Sequence, residues 1–451
     1  MKHSVRTSPS FSKYLCTVGL FLLTGILTAQ YTISGHFSPA SQFTYLLAYR
    51  LTPTGEVYMG DAPIKNGNME LPMPEDAATG VYRMVYAVPQ EEFYFDVLYN
   101  GRESITFTFD IDNGTTYVAS EENKLFQEYN KALAKAEKDL LDHLSSPEQE
   151  NLGLETLLGE LQKVQRTFEK DSKGLMANTL ITANRPYFPS AQESLGDFHM
   201  LRKQHYFDHL DINDPLLRSS GFLSDKAIDY VYGSLHTKAL APADTEMGIQ
   251  QTLADIDSWS RTADAPFRTV LFHRLWEAAD DMHRFELADY IYDTYLYPLA
   301  LKSGERSLIE KIELYNRLRI GAPAPEISWD EKGKIRTLSG MEKAETYVLA
   351  FWSSGCPHCL KEMPLLYSAL KDAPKIKVLA VGLEDGETSW KKETEKMPRF
   401  YHALALGKWD NEYVTLYDIH STPTFIVLDG DKNIRAKPEN LESLLSIVGK
   451  E

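Results

Sequence analysis

A pair of cysteines at the junction between an apolar run and a helical pattern is the feature that most constrains how this chain folds. The run from Tyr347 to Phe351 is apolar and rich in β-forming residues, and Cys356-Pro357-His358-Cys359 follows it and opens a helical pattern that continues to Leu370. Further apolar runs and helical patterns alternate at Ile376 to Val381, Ser389 to Met397, Thr424 to Leu428 and Leu441 to Val448. This alternation predicts an α/β sheet.

The position of Cys356 favours its reactive form. The first turn of a helix carries unpaired N–H groups and the positive end of the helix dipole, and both stabilise an anion. Since the thiolate is the nucleophilic form of cysteine, this placement predicts a pKa for Cys356 below about 8.5. Pro357 suits a first helical turn, and a protonated His358 between the two sulfurs would stabilise the thiolate further. A stabilised thiolate stabilises the reduced protein, which predicts an oxidising disulfide.

Two other interpretations of Cys356 and Cys359 are weaker. A disulfide across two intervening residues closes almost no loop, so it stabilises a fold little. A zinc site needs more ligands, but Cys16 is the only other cysteine in the sequence and it lies in the amino-terminal apolar run. We therefore predict a redox pair.

The sequence around the cysteines resembles the TlpA/ResA branch of the thioredoxin superfamily over residues 319–451. The motifs that carry this resemblance are Gly321-Ala322-Pro323-Ala324-Pro325, Phe351-Trp352-Ser353-Ser354-Gly355-Cys356-Pro357-His358-Cys359-Leu360-Lys361-Glu362-Met363-Pro364 and Thr422-Pro423-Thr424. The resemblance implies that Cys356 attacks, that Cys359 resolves the mixed disulfide and that Pro423 is a cis-proline facing the pair. It also implies that Glu362 helps to move a proton at Cys359.

The same resemblance implies a substrate-binding surface made of Trp352, Pro357 and the backbone of Thr422. The sequence departs from the family pattern in two ways. Ala350 stands where thioredoxin carries an acid, and the Pro-His dipeptide is typical of DsbA-like oxidants whereas this branch often has Glu-Pro. The preferred direction of electron flow therefore stays open.

The first 29 residues have the pattern of a secretory signal peptide. Three basic residues precede a short apolar run from Tyr14 to Leu27, and the small residues Thr28 and Ala29 follow it, with cleavage expected after Ala29. Removing this segment takes Cys16 away and changes the net charge from −17 to −20, because its charged residues are Lys2, Arg6 and Lys13. We expect a periplasmic protein that meets a membrane only if the signal segment stays as an uncleaved anchor. So acidic a chain is a poor binder of nucleic acid.

The rest of the chain shows two changes of pattern. Short β-rich runs separated by turn residues predict a small antiparallel β-sandwich over residues 30–118, and amphipathic helical patterns predict an all-α region over residues 119–318. Ile320 to Pro325 is expected to be a stiff linker to the thioredoxin-like domain at 319–451. The upstream region resembles that of exported thioredoxin-family proteins of Bacteroidetes-type bacteria, which assigns it no chemistry.

Two clusters of polar residues resemble metal sites only superficially. His205 and His209 lie four residues apart near Asp208, Asp211 and Asp214, but aromatic neighbours and a turn pattern favour a helix end. Asp429 to Asn433 resembles the start of a calcium loop, but Ile434 replaces the glycine that such a loop needs. We predict a hairpin turn there and no metal.

These patterns favour a periplasmic thiol-disulfide oxidoreductase. Its expected partners are protein thiols or disulfides and an upstream redox protein, and the chemistry requires no cofactor. A redox-sensing or partner-binding module without turnover is the main alternative, and a thiol peroxidase is a third.

Overall fold

The structure, a computed structural model, describes residues 31–90, 92–144, 151–188, 193, 195–233 and 246–449. The predicted signal segment and Cys16 lie outside these residues. The chain divides into two compact units, Met1–Ala288 and Asp289–Glu451, which are treated separately below. Within the part that the structure describes, no helix combines the length and apolar character needed to cross a membrane. The expected classes are confirmed: a β region, a helical middle and an α/β domain at the carboxyl end.

The first unit begins with a β-sandwich of two four-stranded sheets. Its strands are β1 Thr32–Ser38, β2 Tyr45–Thr52, β3 Gly55–Pro63, β4 Asn68–Pro72, β5 Gly80–Val85, β6 Tyr94–Tyr99, β7 Ile105–Asp110 and β8 Gly114–Ala119. The sheet orders are β4-β1-β7-β8 and β3-β2-β5-β6. The prediction of a purely antiparallel sandwich was wrong in one pair, because β1 runs parallel to β7.

Aromatic residues fill the space between the two sheets. Phe37, Phe107 and Phe109 are buried there, with the Phe37 and Phe107 rings packed edge to face at 5.7 Å. Gly35 gives the Phe107 ring its room, because a Cβ at that position would lie 2.3 Å from the ring. This close approach explains a glycine inside a strand, where it otherwise weakens the sheet.

A helical region follows the sandwich and shares a core with the outer face of the second sheet. Its helices are α1 Glu121–Leu144, α2 Asn151–Asp171, α3 Ala177–Ala183, α4 Leu195–Gln204, α5 Pro215–Ser219, α6 Phe222–Tyr232, α7 Glu246–Trp259 and α8 Ala265–Asp281. Leu51, Val81 and Leu98 alternate along the strands with residues of the sandwich core and belong instead to the helical core. The sandwich and these helices therefore share one compact unit.

Helices also open the second unit. α9 Phe285–Ile291 crosses the division, and a π-helical turn leads to α10 Tyr297–Ser303 and α11 Arg306–Leu318. Leu314 and Leu318 of α11 pack into the core of the α/β domain. Arg319 forms a two-pronged ion pair with Asp289, with N–O distances of 2.7 and 2.5 Å.

The α/β domain has a mixed five-stranded sheet in the order β13-β12-β11-β14-β15. Its elements are the hairpin β9 Ser328–Glu331 and β10 Lys334–Thr337, then β11 Thr346–Trp352, α12 Pro357–Leu370, β12 Ile376–Glu384, α13 Glu387–Thr394, β13 Tyr401–Leu406, α14 Glu412–Leu416, β14 Thr424–Leu428, β15 Ile434–Ala436 and α15 Leu441–Val448. β11 is buried along its whole length, as its uninterrupted apolar sequence predicts.

The segment expected to be a linker is instead part of this domain. The N–H of Gly321 donates to the carbonyl of Ile434 at 2.7 Å, and the N–H of Ala324 donates to that of Lys432 at 3.0 Å. The two prolines keep this segment extended. An extended backbone can pair with the edge of a strand, and the segment pairs in this way beside β15.

Candidate active site

The cysteine pair lies where the central strand β11 ends and α12 begins. Cys356 is the N-cap residue of α12, and its sulfur accepts a hydrogen bond from the N–H of Cys359 at 3.2 Å. Pro357 occupies the first turn, where its missing donor has no partner to lose. A sulfur therefore takes the capping role that a Ser or Asp oxygen usually has, in the position that best stabilises its charge.

The two thiols differ in burial and in acidity. Burial acts to raise the pKa of Cys356, but hydrogen bonding from Cys359, Thr422 and the backbone of His358 outweighs it, so this pKa lies below its ordinary value. Cys359 has no exposed surface, and burial together with its hydrogen bond to Cys356 raises its pKa to about 12. Both cysteines are free thiols. The arrangement therefore places one accessible, acidic thiol over a second that holds its proton.

A loop before β14 brings Thr422 and Pro423 against Cys356. β14 runs antiparallel to β11, with Thr424 opposite Phe351, so the residues that precede Thr424 lie beside the active-site loop. The Thr422–Pro423 peptide bond is cis, and the thiol of Cys356 donates to the carbonyl of Thr422 at 3.3 Å. Sequence-distant residues thus meet at the sulfur.

Two predicted site residues, Trp352 and His358, lie differently from what the sequence suggested, and Glu362 lies where it was expected. Trp352, expected to bind substrate, is only 1% exposed and packs in the core with Cys359, so it supports the helix from beneath. His358 is exposed, and within the described residues it contributes to the cysteine through its backbone, because its ring forms no hydrogen bond to the sulfur. Glu362 lies half-buried one helical turn after Cys359.

Sequence reasoning missed Glu384, the last residue of β12. Trp352 lies opposite Gly382 in the parallel pair β11–β12, and two residues further on the Glu384 carboxylate reaches the active-site loop. It accepts hydrogen bonds from both the N–H and the hydroxyl of Ser354, the latter at 3.0 Å, and is 6% exposed. An acid that ends an otherwise apolar strand was the signal that could have identified it.

The polar clusters that resembled metal sites have ordinary structural roles. His205 pairs with Asp208 through Nδ1 at 2.8 Å, and Asp429 accepts from the N–H groups of Asp431 and Asn433 in the turn between β14 and β15. Across the residues that the structure describes, no group of three or more His, Cys, Asp or Glu side chains is arranged to hold a metal ion.

Residues 344–434 match a family model described as thioredoxin-like. No curated protein matches the chain. A domain of a possible thiol-disulfide isomerase from Cytophaga hutchinsonii is 31% identical, with 30% of this chain and 92% of that one covered and a TM-score of 0.27. The thioredoxin domain of a thiol-disulfide oxidoreductase from Bacteroides vulgatus is 29% identical, with 30% and 97% covered and a TM-score of 0.27. A thioredoxin-like protein from Bacteroides caccae is 19% identical, with 59% and 97% covered and a TM-score of 0.28.

Proposed function

Because residues 344–434 form a thioredoxin-like domain, we propose that this chain is an exported thiol-disulfide oxidoreductase that acts in the periplasm through Cys356-Pro357-His358-Cys359. The observation that carries the proposal is the sulfur of Cys356, which caps α12 and has a lowered pKa beside a buried second thiol. A purely structural cysteine pair needs neither the lowered pKa nor the accessible sulfur.

The exchange proceeds in two steps. The Cys356 thiolate attacks one sulfur of a substrate disulfide, forms a mixed disulfide and releases one substrate thiolate. Cys359 then loses its proton and attacks the Cys356 sulfur, which releases the second substrate thiolate and leaves a Cys356–Cys359 disulfide. The substrate gains the two electrons that the dithiol loses, and the reverse sequence oxidises a substrate dithiol. An upstream redox protein resets the pair.

The remaining site residues have assigned parts in this exchange. Since the pKa of Cys359 is raised to about 12, its attack requires a base, and Glu362 one turn away is the residue we assign to accept the proton. Thr422 and Pro423 line the approach to the sulfur, where the Thr422 backbone would pair with an extended substrate.

Reduction of insulin by dithiothreitol tests the proposal directly. The full chain without its signal segment is expected to accelerate insulin reduction, and Cys356→Ala is expected to abolish the acceleration. Cys359→Ala is expected to accumulate mixed disulfides with substrate, since the resolving sulfur is gone. A chain that captures partners but gives no cysteine-dependent turnover would contradict the enzyme proposal and favour a redox-sensing module.

A further inference from the structure

Two exposed apolar side chains follow β13, at the sheet edge that carries the active site. Because β11, β12 and β13 run parallel, their carboxyl ends meet at the same edge, where α/β sheets usually contact ligands. Leu406, the last residue of β13, pairs in register with Glu384, whose carboxylate binds Ser354 in the loop before Cys356. Two strand spacings of about 4.8 Å place Leu406 about 10 Å from this loop.

The alternation of residues along β13 determines the face of the sheet on which Leu406 lies. Ala403 and Ala405 belong to one core of the α/β domain, so Leu406 lies on the opposite face. That face packs against α12 and includes the buried Cys359. Leu406 is 53% exposed and belongs to neither core. It therefore lies at the rim of the sheet, on the same face as the active-site helix.

Backbone hydrogen bonds fix the turn that follows, residues 406–411, named here the β13 turn. Gly407 has a φ of 94°, which favours glycine, and its N–H donates to the carbonyl of Glu384 at 3.1 Å. The carboxamide of Asn411 donates to the carbonyl of Leu406 at 2.8 Å. Trp409 lies between these two anchors, is 45% exposed and belongs to neither core of the α/β domain. The turn thus presents two apolar side chains on a fixed backbone.

The exposed surface of the β13 turn is apolar and small. Lys408 pairs with Asp385 at 3.5 Å and Asp410 is exposed to water, so the turn offers no buried ionic contact. The exposed parts of Leu406 and Trp409 amount to no more than about 300 Å². Each partner in a standard protein–protein interface buries about 800 Å². The surface therefore suits a single apolar side chain of a bound polypeptide better than it suits a second copy of this chain.

We propose that the β13 turn binds an apolar side chain of the substrate, about three residues from the substrate cysteine that Cys356 attacks. This proposal rests on the thiol-disulfide exchange proposed above and names its substrate class, an extended polypeptide with an apolar residue near its cysteine. An extended chain advances about 3.3 Å per residue, so about three residues span the distance from the active-site loop to Leu406. Contact with Leu406 and Trp409 removes apolar surface of both partners from water.

Peptides joined by a disulfide to 2-nitro-5-thiobenzoate test the proposal. The reduced full chain without its signal segment reacts with Leu-Ala-Ala-Cys-Ala-Ala-Leu or Ala-Ala-Ala-Cys-Ala-Ala-Ala, both with capped ends. The Cys356 thiolate attacks the peptide sulfur and thionitrobenzoate leaves with the electron pair of the broken bond. Cys359 then attacks the Cys356 sulfur and releases the peptide thiolate, so the dithiol loses the two electrons that the substrate gains. Absorbance of thionitrobenzoate gives the rate, which is expected to be about tenfold higher for the leucine peptide.

Leu406→Ser and Trp409→Ser are expected to lose most of this preference and to react with the alanine peptide as wild type does. Ile335→Ser is the matched control, since Ile335 is 71% exposed on β10, in the hairpin whose Trp329 packs at the opposite end of β13 beside Tyr401. It is expected to keep the full preference. Thermal unfolding by circular dichroism verifies that each variant is folded.

Equal rates of wild-type protein with the two peptides would overturn the proposal, as would a folded Trp409→Ser that keeps the full preference. A wild-type dimer in sedimentation that Trp409→Ser dissociates would also overturn it, because a second copy would then cover the surface. Failure of the underlying exchange gives a different result. In that case wild-type protein would release thionitrobenzoate no faster than Cys356→Ala with either peptide, and both proposals would be wrong.

Discussion

The pKa values of two cysteines within one helical turn are shifted in opposite directions. Cys356 lies at the helix start, where backbone N–H groups stabilise negative charge, and Cys359 lies in the core, where burial disfavours it. The sequence alone predicted the lowered pKa of Cys356, because the start of a helix can be recognised from the neighbouring residues. The predicted role of the His358 imidazole stays a prediction, because the hydrogen bond from His358 that lowers the pKa of Cys356 comes from its backbone.

Alkylation with iodoacetamide across a range of pH is expected to separate the two thiols. Because the pKa of Cys356 is lowered, its rate of modification should reach half of its maximum below about pH 8.5, the midpoint of an unperturbed cysteine. Cys359, with a pKa raised to about 12, should stay unmodified throughout. Mass spectrometry of peptides from the reduced native protein assigns each modification, and the unfolded protein is the control. Equal reactivity of both cysteines in the native state would contradict this account.

Glu384 holds the loop that carries Cys356. Its carboxylate accepts two hydrogen bonds from Ser354, one of them from a backbone N–H, and it is 6% exposed. This residue is 28 positions from Cys356 in sequence, and only the register of β11 with β12 brings it to the site. A local pattern therefore assigns the cysteines but not the side chain that fixes their loop.

Glu384→Ala is expected to lower the free energy of unfolding by about 1–3 kcal/mol, because the N–H of Ser354 loses its acceptor. It should also slow insulin reduction and shift the pH profile of Cys356 alkylation, whereas Glu384→Gln, which keeps an acceptor oxygen, should retain most of both properties. Urea unfolding and the alkylation profile provide the measurements. Glu387→Ala is the control, since Glu387 is exposed and pairs with Lys391 on the surface. If Glu384→Ala behaved like this control, the proposed role of Glu384 would be wrong.

Among the helices and strands, the sequence predicted best those segments whose own residues show both the period and the two ends. β14 and α15 have the predicted bounds, because each combines a clear period with a clear start and end. β3 was missed, since most of its residues are exposed or half-exposed and give no apolar alternation. β13 was missed because its alternating run is short, and only its pairing with β12 identifies it as a strand.

Asn123 shows how two predicted regions are joined by a feature that no local pattern reveals. Its carboxamide donates to the carbonyl of Leu98 at 2.8 Å and accepts from the N–H of Leu98 at 2.7 Å, and it is 3% exposed. β6 is the outer strand of its sheet, so this side chain satisfies backbone groups that another strand would otherwise pair. A helix is thereby fastened to a sheet edge.

Asn123→Ala is expected to lower the free energy of unfolding by about 1–3 kcal/mol, because it leaves the buried N–H and C=O of Leu98 without their partner. Asn130→Ala on the same helix is the control, since Asn130 is exposed and within the described residues its side chain has no hydrogen bond. Urea unfolding of both variants measures the difference. A cost for Asn123→Ala no larger than that of the control would show that these bonds contribute little.

At the scale of the whole molecule, the division into units differs from the changes in sequence pattern. Composition placed a change at residue 319, but the second compact unit begins at Asp289 and includes two helices before the α/β domain. The periodicity of a sequence predicts which residues form helices, but it does not predict the core against which those helices pack. Leu318 is 4% exposed within the α/β core, and that contact is not visible in the sequence of α11.

A fragment of residues 289–451 is therefore expected to be more stable than a fragment of residues 319–451. The shorter fragment loses Leu318, whose burial contributes about 1.5–3 kcal/mol, and the ion pair of Arg319 with Asp289. Thermal unfolding of the two fragments under reducing conditions measures the difference. Equal unfolding midpoints would show that α11 does not stabilise the α/β domain.

The equilibrium of the cysteine pair with glutathione tests the central claim most directly. The full chain is equilibrated in buffers of defined ratio of reduced to oxidised glutathione, and the Cys356–Cys359 disulfide is quantified by alkylation of the remaining thiols. Since the lowered pKa of Cys356 stabilises the reduced form, we expect a reversible two-electron transition above about −200 mV, in the oxidising half of the range from about −270 to −120 mV. A potential near −270 mV would contradict the oxidising prediction. A pair that forms no disulfide at any ratio would contradict the account as a whole.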